Sequence, residues 1–185
     1  PVIVVFETLP KPPWLNELFF FGYFSFYIFL AAPWWILYLK GEKGMAAVSM
    51  FTVTASYGLL YVWYLFFPVV GPKLFFPELQ VLWYTPFEGW LFVPLMTNLF
   101  TQATMAGAAF PSSHIAIGLV SLLLNFRYNR PLACWLLPLY ALLCASTVWL
   151  YTHYVVDIFA GWIAGALLFL LIPRLASRFT ALEYP

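Results

Sequence analysis

The fold is decided by residues 153–173, which read HYVVDIFAGWIAGALLFLLIP. From residue 156 onward this stretch carries one charged side chain, Asp157, and it is long enough to cross a hydrocarbon layer of about 30 Å as an α-helix. Comparable apolar runs occur at about 17–39, 45–67 and 131–150, and a shorter one occurs at about 112–126. We therefore predict an all-α, polytopic transmembrane helix bundle with five spans.

The composition of the whole chain agrees with this prediction. Of the 185 residues, 64% are hydrophobic, 22% aromatic and only 8% charged, which no water-soluble domain of this length tolerates. The net charge of +1 gives no reason to expect nucleic acid as a partner. Because the chain starts at Pro1 rather than at a methionine, we expect residues 1–185 to be a single transmembrane domain that lacks an upstream span, which would complete a set of six.

The segment between the second and third spans, residues 68–110, is rich in proline, glycine and aromatic residues and is too long for a simple connection. Its second half, from Trp90 to about Ala106, places apolar and polar side chains on different helical faces. This pattern is typical of an amphipathic helix at the membrane interface, here on the extracytoplasmic side. The alternative is that residues 90–109 form a further span, and the placement of the charged residues argues against it.

If the chain crosses the membrane at the five predicted spans and does not cross it at 90–109, its charged residues are divided between the two membrane faces. Six of the eight basic residues fall on one face: Lys40, Lys43, Arg127, Arg130, Arg174 and Arg178. The other face receives Glu7, Glu17, Glu78, Glu88, Asp157, Lys73, His114 and His153. The positive-inside rule makes the basic face cytoplasmic, so both histidines are expected on the extracytoplasmic face.

The two histidines and Asp157 are the polar groups best suited to chemistry in so apolar a chain. A spacing of four residues places His153 and Asp157 on one helix face, where the carboxylate can accept a hydrogen bond from one ring nitrogen and leave the other free. His114 opens another apolar run, where free backbone amides and the helix dipole attract an anion such as phosphate. A histidine held by a carboxylate can attack phosphorus, while a second, protonated histidine donates a proton to the departing oxygen.

Four hydroxyl side chains near these histidines admit more than one interpretation. Ser112 and Ser113 precede His114, and they are either hydrogen-bond donors to a phosphate or caps of the helix start. Ser146 and Thr147 are expected to hydrogen-bond back to their own helix.

The same residues resemble the motifs of a known family. The chain resembles the type 2 phosphatidic acid phosphatase superfamily over about residues 60–173, in the second signature motif at Pro111-Ser112-Ser113-His114 and in the third at Ser146-Thr147, His153 and Asp157. The resemblance implies a six-span membrane enzyme without a metal. It also implies that His153 is the nucleophile that becomes phosphorylated, that Asp157 orients it, and that His114 is first the acid and then the base.

Further residues resemble one branch of that superfamily and depart from another. Gly71-Pro72-Lys73 and the His153-Tyr154 pair are similar to the branch that contains inositol phosphorylceramide synthases. The phosphatases carry a first motif of a lysine followed by Arg-Pro, which is missing here, and an arginine where this chain has Thr147. By the resemblance, Lys73 contacts the phosphate, although an ordinary surface lysine is the alternative. A site with so few cations suits a singly charged phosphodiester better than a monoester.

Together these inferences predict a lipid phosphotransferase or phosphatase with a phosphohistidine-type intermediate and a preference for headgroup transfer from a phosphodiester lipid. Membrane lipids would be the donor and, in a transfer reaction, the acceptor, and no cofactor is expected. The nearest alternative is a phosphatase of lipid phosphates or isoprenyl pyrophosphates. A metal or haem protein would need a third suitable ligand beside the two histidines. A non-catalytic lipid-binding membrane protein is the third alternative.

Overall fold

The computed structural model describes residues 9–76, 87–103 and 106–179. In these ranges the chain is helical and contains no β-strand, which agrees with the predicted all-α class. The helices are α1 (Pro13–Phe24), α2 (Phe26–Leu39), α3 (Lys43–Phe66), α4 (Pro72–Phe75), α5 (Phe92–Ala103), α6 (Ser113–Tyr128), α7 (Arg130–Trp149) and α8 (Val155–Phe179).

Three helices, α3, α7 and α8, are long and apolar enough to cross a membrane. The helices α1 and α2 pass the same test only as a pair, and they are bent by 43° at their junction. The junction is Ser25, whose buried hydroxyl donates to the carbonyl of Gly22, and such back-bonding bends helices. The described residues therefore support three or four spans by length and composition, where the sequence predicted five.

The predicted fifth span is α6, which has 16 residues and is about 24 Å long. It lies at the centre of the bundle, where it packs against α2, α3, α7 and α8. Most of its apolar side chains are buried, and those of Ile115, Ile117 and Leu124 are fully so. Because α6 is surrounded by other helices, its length does not have to match the thickness of the hydrocarbon layer.

Helix α8 approaches α6 closely because two of its residues have no side chain. A Cβ atom at Gly161 would lie 2.8 Å from the Cβ of Ile115, and one at Gly165 would lie 2.6 Å from the carbonyl oxygen of Ala116. Small residues of this kind permit close helix contact in membrane proteins. The contact brings the start of α8, which carries Asp157, beside the start of α6, which carries His114.

Helix α5 occupies the middle of the interfacial helix predicted from Trp90 to about Ala106. It starts at Phe92, ends at Ala103 and packs against α1. The packing buries Val93 and Met96, whereas Leu95 is 38% exposed. With 12 residues, α5 is about 18 Å long and too short to cross the hydrocarbon layer alone.

The charged side chains are divided between the two ends of the bundle. Four basic residues lie at the turns between α2 and α3 and between α6 and α7: Lys40, Lys43, Arg127 and Arg130. The start of α6, the start of α8 and the end of α3 meet at the opposite end. Of the other charges used in the prediction, Glu7, Glu78 and the side chain of Arg178 lie outside the described residues.

Candidate active site

The position of His153 is fixed by the turn between α7 and α8. Helix α7 ends at Trp149, and Tyr151 then adopts a φ of +55°, the left-handed conformation that is costly for a bulky residue. The carbonyl oxygen of Thr147 accepts hydrogen bonds from the backbone amides of Thr152 and His153, at 3.1 Å each, and from the Thr152 hydroxyl at 2.8 Å. These three bonds hold His153 just beyond the end of α7.

The imidazole ring of His153 is oriented by two oxygen atoms. Its Nδ1 lies 2.9 Å from the carbonyl oxygen of Ala109 and 3.5 Å from Oδ2 of Asp157. A carbonyl oxygen can only accept, so Nδ1 carries the proton and Nε2 keeps its lone pair in the neutral ring. In the part of the chain that the structure describes, no hydrogen bond to Nε2 is formed, and the ring lines a cavity.

Asp157 is held in the first turn of α8 and is only 1% exposed. Its Oδ2 accepts a hydrogen bond of 2.8 Å from the backbone amide of Tyr154. The expected proximity of His153 and Asp157 is therefore found, but for a different reason. Since α8 begins at Val155, His153 lies in the turn that precedes the helix, and the two side chains do not share a helix face.

His114 faces His153 across the start of α6. The centroids of the two rings are 5.7 Å apart, and the rings meet edge to face. Tyr23 and Phe26 pack against the His114 ring, with centroid distances of 4.6 and 4.4 Å. Aromatic packing thus fixes the ring and leaves its buried Nδ1 without a hydrogen-bond partner among the described residues.

Both histidines line a cavity of about 550 Å³ at this end of the bundle. Ser113 and Lys73 also line it, and residues of α5 such as Met96 and Phe100 form one of its walls. Lys73 is the only lysine or arginine among the described lining residues. The four side chains that the sequence assigned to proton transfer, nucleophilic attack and phosphate contact therefore face one common space.

Lys73 reaches the cavity because its segment packs directly on the turn that carries His153. The backbone amide of Lys73 donates to the carbonyl of Tyr151 at 3.1 Å, and a Cβ atom at Gly71 would lie only 2.6 Å from the carbonyl oxygen of Thr152. The side chain of Lys73 is 8% exposed, with Nζ 5.0 Å from the centroid of the Phe100 ring. Burial lowers the pKa of Lys73 to about 8.

The two serines before His114 differ in their surroundings. The Ser112 hydroxyl is fully buried and accepts a hydrogen bond of 3.4 Å from the amide of Ile115, which is the geometry of a helix cap. Ser113 lines the cavity instead. In α7, Ser146 donates to the carbonyl of Leu142 and Thr147 to that of Cys144, as expected for back-bonding within the helix.

The sequence analysis did not identify Glu17, which lies outside the cavity but binds the start of α5, the helix that forms one cavity wall. This buried carboxylate accepts hydrogen bonds from four successive backbone amides at the start of α5, those of Trp90, Leu91, Phe92 and Val93. A negative charge at a helix start is favourable because free amides and the helix dipole point at it. The only indication of this role in the sequence is that Glu17 is an acidic residue at the start of the apolar run 17–39.

The described residues contain no group of three or more histidine, cysteine, aspartate or glutamate side chains placed to hold a metal ion. What they do contain is an imidazole with a free lone pair, a second imidazole beside it and a buried cation. These groups can attack an electrophile, move a proton and bind an anion.

Comparison with known proteins agrees with this chemistry. No curated protein and no solved structure shows significant similarity to the chain. The chain does match the family model described as PAP2 superfamily over residues 2–171, which include both histidines, Asp157 and Lys73. Because this match spans nearly the whole chain, the protein belongs to the PAP2 superfamily.

Proposed function

We propose that the protein is a membrane lipid phosphotransferase or phosphatase in which His153 attacks phosphorus and His114 transfers the proton. Membership in the PAP2 superfamily supports an enzyme of the phosphatase type that acts on phosphate esters. The observation that carries the assignment of roles is the approach of the two rings, whose centroids are 5.7 Å apart at one cavity with Lys73. At this separation a single phosphoryl group can contact both rings.

In the first step, the lone pair on Nε2 of His153 attacks phosphorus and a nitrogen–phosphorus bond forms. The phosphorus–oxygen bond to the departing alcohol breaks, and His114 supplies the proton that this oxygen needs. The charge that develops on the His153 ring is stabilised through Nδ1 by the Ala109 carbonyl and the Asp157 carboxylate. Asp157 thus acts as a positioning residue.

In the second step, the hydroxyl group of an acceptor attacks the phosphohistidine adduct. His114, now neutral, accepts the proton of this hydroxyl as the new phosphorus–oxygen bond forms and His153 is released. Lys73 stabilises the negative oxygens throughout, together with the free amides at the start of α6 and, by this proposal, the hydroxyl of Ser113. Ser112, whose buried hydroxyl caps α6, has no part in this contact. Water as acceptor gives hydrolysis, and a lipid hydroxyl gives headgroup transfer.

The small number of cations favours transfer from a phosphodiester lipid, the reaction of inositol phosphorylceramide synthases. A phosphomonoester carries close to two negative charges at neutral pH, whereas a diester carries one. Lys73 is the one lysine or arginine on the described cavity wall, so a single negative charge is matched and a second is not. We place the site at the extracytoplasmic face because the basic turns lie at the other end of the bundle.

The assignment of His153 is tested with the purified protein in proteoliposomes. Phosphatidylinositol and phosphatidic acid are supplied as donors, each with and without ceramide or diacylglycerol as acceptor. His153→Ala should abolish turnover of every donor, whereas Thr101→Ala, an exposed residue of α5 outside the cavity, should leave it unchanged. Full activity of the His153→Ala protein would disprove the mechanism.

A second measurement separates the two histidines. With para-nitrophenyl phosphate as substrate, the leaving group needs no proton. The His114→Asn protein should therefore still form the phosphate adduct on His153, but it should not transfer the phosphate from His153 to an acceptor. Mass spectrometry of peptides should then show phosphate on the His153 peptide in His114→Asn and none in His153→Ala. Acceptor-dependent product identifies a transferase, and phosphate release regardless of acceptor identifies a phosphatase.

A further inference from the structure

The cavity does not end at the two histidines. Its lining continues from them along α2 and α3, and we call this part of the cavity the lateral cleft. Its walls are three residues of α2 and three of α3: Phe26, Tyr27, Leu30, Tyr57, Tyr61 and Tyr64. None of these residues is charged, so the lateral cleft differs from the end of the cavity that holds Lys73.

The lateral cleft lies close to the outer surface of the bundle. Tyr27 is 48% exposed and Tyr61 is 36% exposed, although both also line the cavity. Because α3 is a candidate membrane span and α2 is part of another, an opening between these two side chains would face lipid.

The lateral cleft begins directly beside the catalytic histidines. The centroid of the Phe26 ring lies 4.4 Å from that of His114 and 6.2 Å from that of Tyr57, so Tyr57 is one ring removed from His114. The ester or amide groups of a lipid lie only a few bonds from its phosphate. A lipid whose phosphate lies between the histidines would therefore place its backbone beside Tyr57.

The tyrosine hydroxyls in the lateral cleft are not equivalent. Tyr64 uses its proton in the 2.6 Å bond to Pro111, whereas the hydroxyls of Tyr57 and Tyr61 lie 3.3 Å from each other. Their contact uses the proton of one of the two, so the pair keeps one proton that has no acceptor among the described residues. An ester or amide carbonyl close to a lipid phosphate is an acceptor within reach of this pair.

From these observations we propose that the lateral cleft binds the backbone and proximal acyl chain of a membrane lipid substrate, with the hydroxyl pair of Tyr57 and Tyr61 donating to a carbonyl or hydroxyl of that backbone. This inference rests on the proposed function and adds where the lipid part of the substrate lies. A substrate without chains would reach the histidines without using the lateral cleft.

The test compares a lipid with a water-soluble ester of the same charge. The pairs are phosphatidylinositol with bis(para-nitrophenyl) phosphate, and phosphatidic acid with para-nitrophenyl phosphate. Leu30→Trp, which narrows the lateral cleft, should lower kcat/KM for the lipid by about tenfold and leave the soluble ester within about twofold. Changing both Tyr57→Phe and Tyr61→Phe keeps the shape, removes both hydroxyls and should lower kcat/KM for the lipid alone by roughly threefold to tenfold. Tyr38→Phe, at the far end of α2, is the control.

A second experiment does not depend on enzymatic activity. It uses phosphatidic acid with a photoactivatable group near the start of one acyl chain. Crosslinks should map to α2 around Leu30 and to α3 around Tyr57, and Leu30→Trp should reduce them while Tyr38→Phe should not. Equal losses for lipid and soluble ester, no loss for either, or crosslinks unaffected by Leu30→Trp would overturn the inference. If wild type turns over no ester but the crosslinks behave as expected, the proposed function fails and the lipid site stands.

Discussion

At the scale of single residues, the proton on His153 is held by two different acceptors. The Ala109 carbonyl at 2.9 Å makes the shorter contact with Nδ1, and the Asp157 carboxylate at 3.5 Å makes the longer one. In a serine protease triad the aspartate alone sets the tautomer, and replacing it with asparagine lowers kcat by about 10⁴-fold. Here a backbone carbonyl, which no substitution removes, shares that task.

Asp157→Asn should therefore be a mild variant by the standard of such triads. The Ala109 carbonyl keeps Nδ1 protonated, and the asparagine oxygen can still accept from the Tyr154 amide, so we expect kcat to fall by about 10-fold to 100-fold. Steady-state kinetics measure this, with size-exclusion chromatography as the folding control. A loss near 10⁴-fold would show that Asp157, and not Ala109, determines the tautomer.

The pKa of Lys73 leads to a prediction about alkaline pH. Burial lowers this pKa from 10.5 to about 8, so the ammonium group is charged at neutral pH and becomes neutral as the pH rises through about 8. A neutral amine does not attract phosphate, so kcat/KM should fall on the alkaline side of pH 8. Lys73→Arg should lack this decline because a guanidinium stays protonated.

The control for this pH profile is Lys40→Arg, an exposed lysine at the other end of the bundle, which should retain the wild-type decline. The same alkaline decline in wild type and in Lys73→Arg would contradict the role of Lys73. Measuring kcat/KM is essential because this ratio reports groups of the free enzyme, and a bound phosphate would itself favour the charged lysine.

Much of the site could be predicted at this scale, and the part that could not has a physical reason. His114, His153 and Asp157 were found from residue type and spacing and Lys73 from a family resemblance, and the structure brings all four to one end of the bundle. The contribution of Ala109 leaves no trace in a sequence, because its oxygen belongs to the backbone.

At the scale of helices, the wall of the cavity formed by α5 depends on one carboxylate. Glu17 satisfies amides that would otherwise be unpaired at the start of α5, and it does so from a different helix, α1. We expect Glu17→Gln to weaken the attachment of α5 by about 1–2 kcal/mol, because the amide is uncharged and offers one acceptor atom instead of two.

Hydrogen exchange measures this effect. Residues 92–103 should exchange faster in Glu17→Gln, while α6 and α7 should keep their protection. Glu42→Gln is the matched control: Glu42 stands just before α3 but is exposed and forms no side-chain cap, so this change should leave exchange unaltered. Unchanged exchange of α5 in Glu17→Gln would show that packing against α1 suffices to hold it.

The helices show where apolar patterning stops being informative. The run at 17–39 was found correctly, but hydropathy does not register the bend at Ser25, which follows from one buried hydroxyl. The short run at 112–126 was found as a helix, and its length is explained only by the four helices around it. A hydropathy pattern detects a helix with an apolar surface, but it does not distinguish a surface that contacts lipid from one that contacts other helices.

At the scale of the whole molecule, the basic residues of the helix turns and the two histidines lie at opposite ends. The turns from α2 to α3 and from α6 to α7 carry Lys40, Lys43, Arg127 and Arg130, whereas the cavity and both histidines lie at the other end. This separation is what the positive-inside rule requires if the cavity faces away from the cytoplasm.

Cysteine labelling in intact cells or right-side-out vesicles decides this orientation. In a background with Cys134→Ala, since Cys134 is exposed and Cys144 is buried, single cysteines are introduced as Trp90→Cys near the cavity and Glu42→Cys at the basic end. A membrane-impermeant maleimide should label only Trp90→Cys, and permeabilisation should add Glu42→Cys. The reverse pattern would place the histidines on the cytoplasmic face, and the lipid substrate would then come from the inner leaflet.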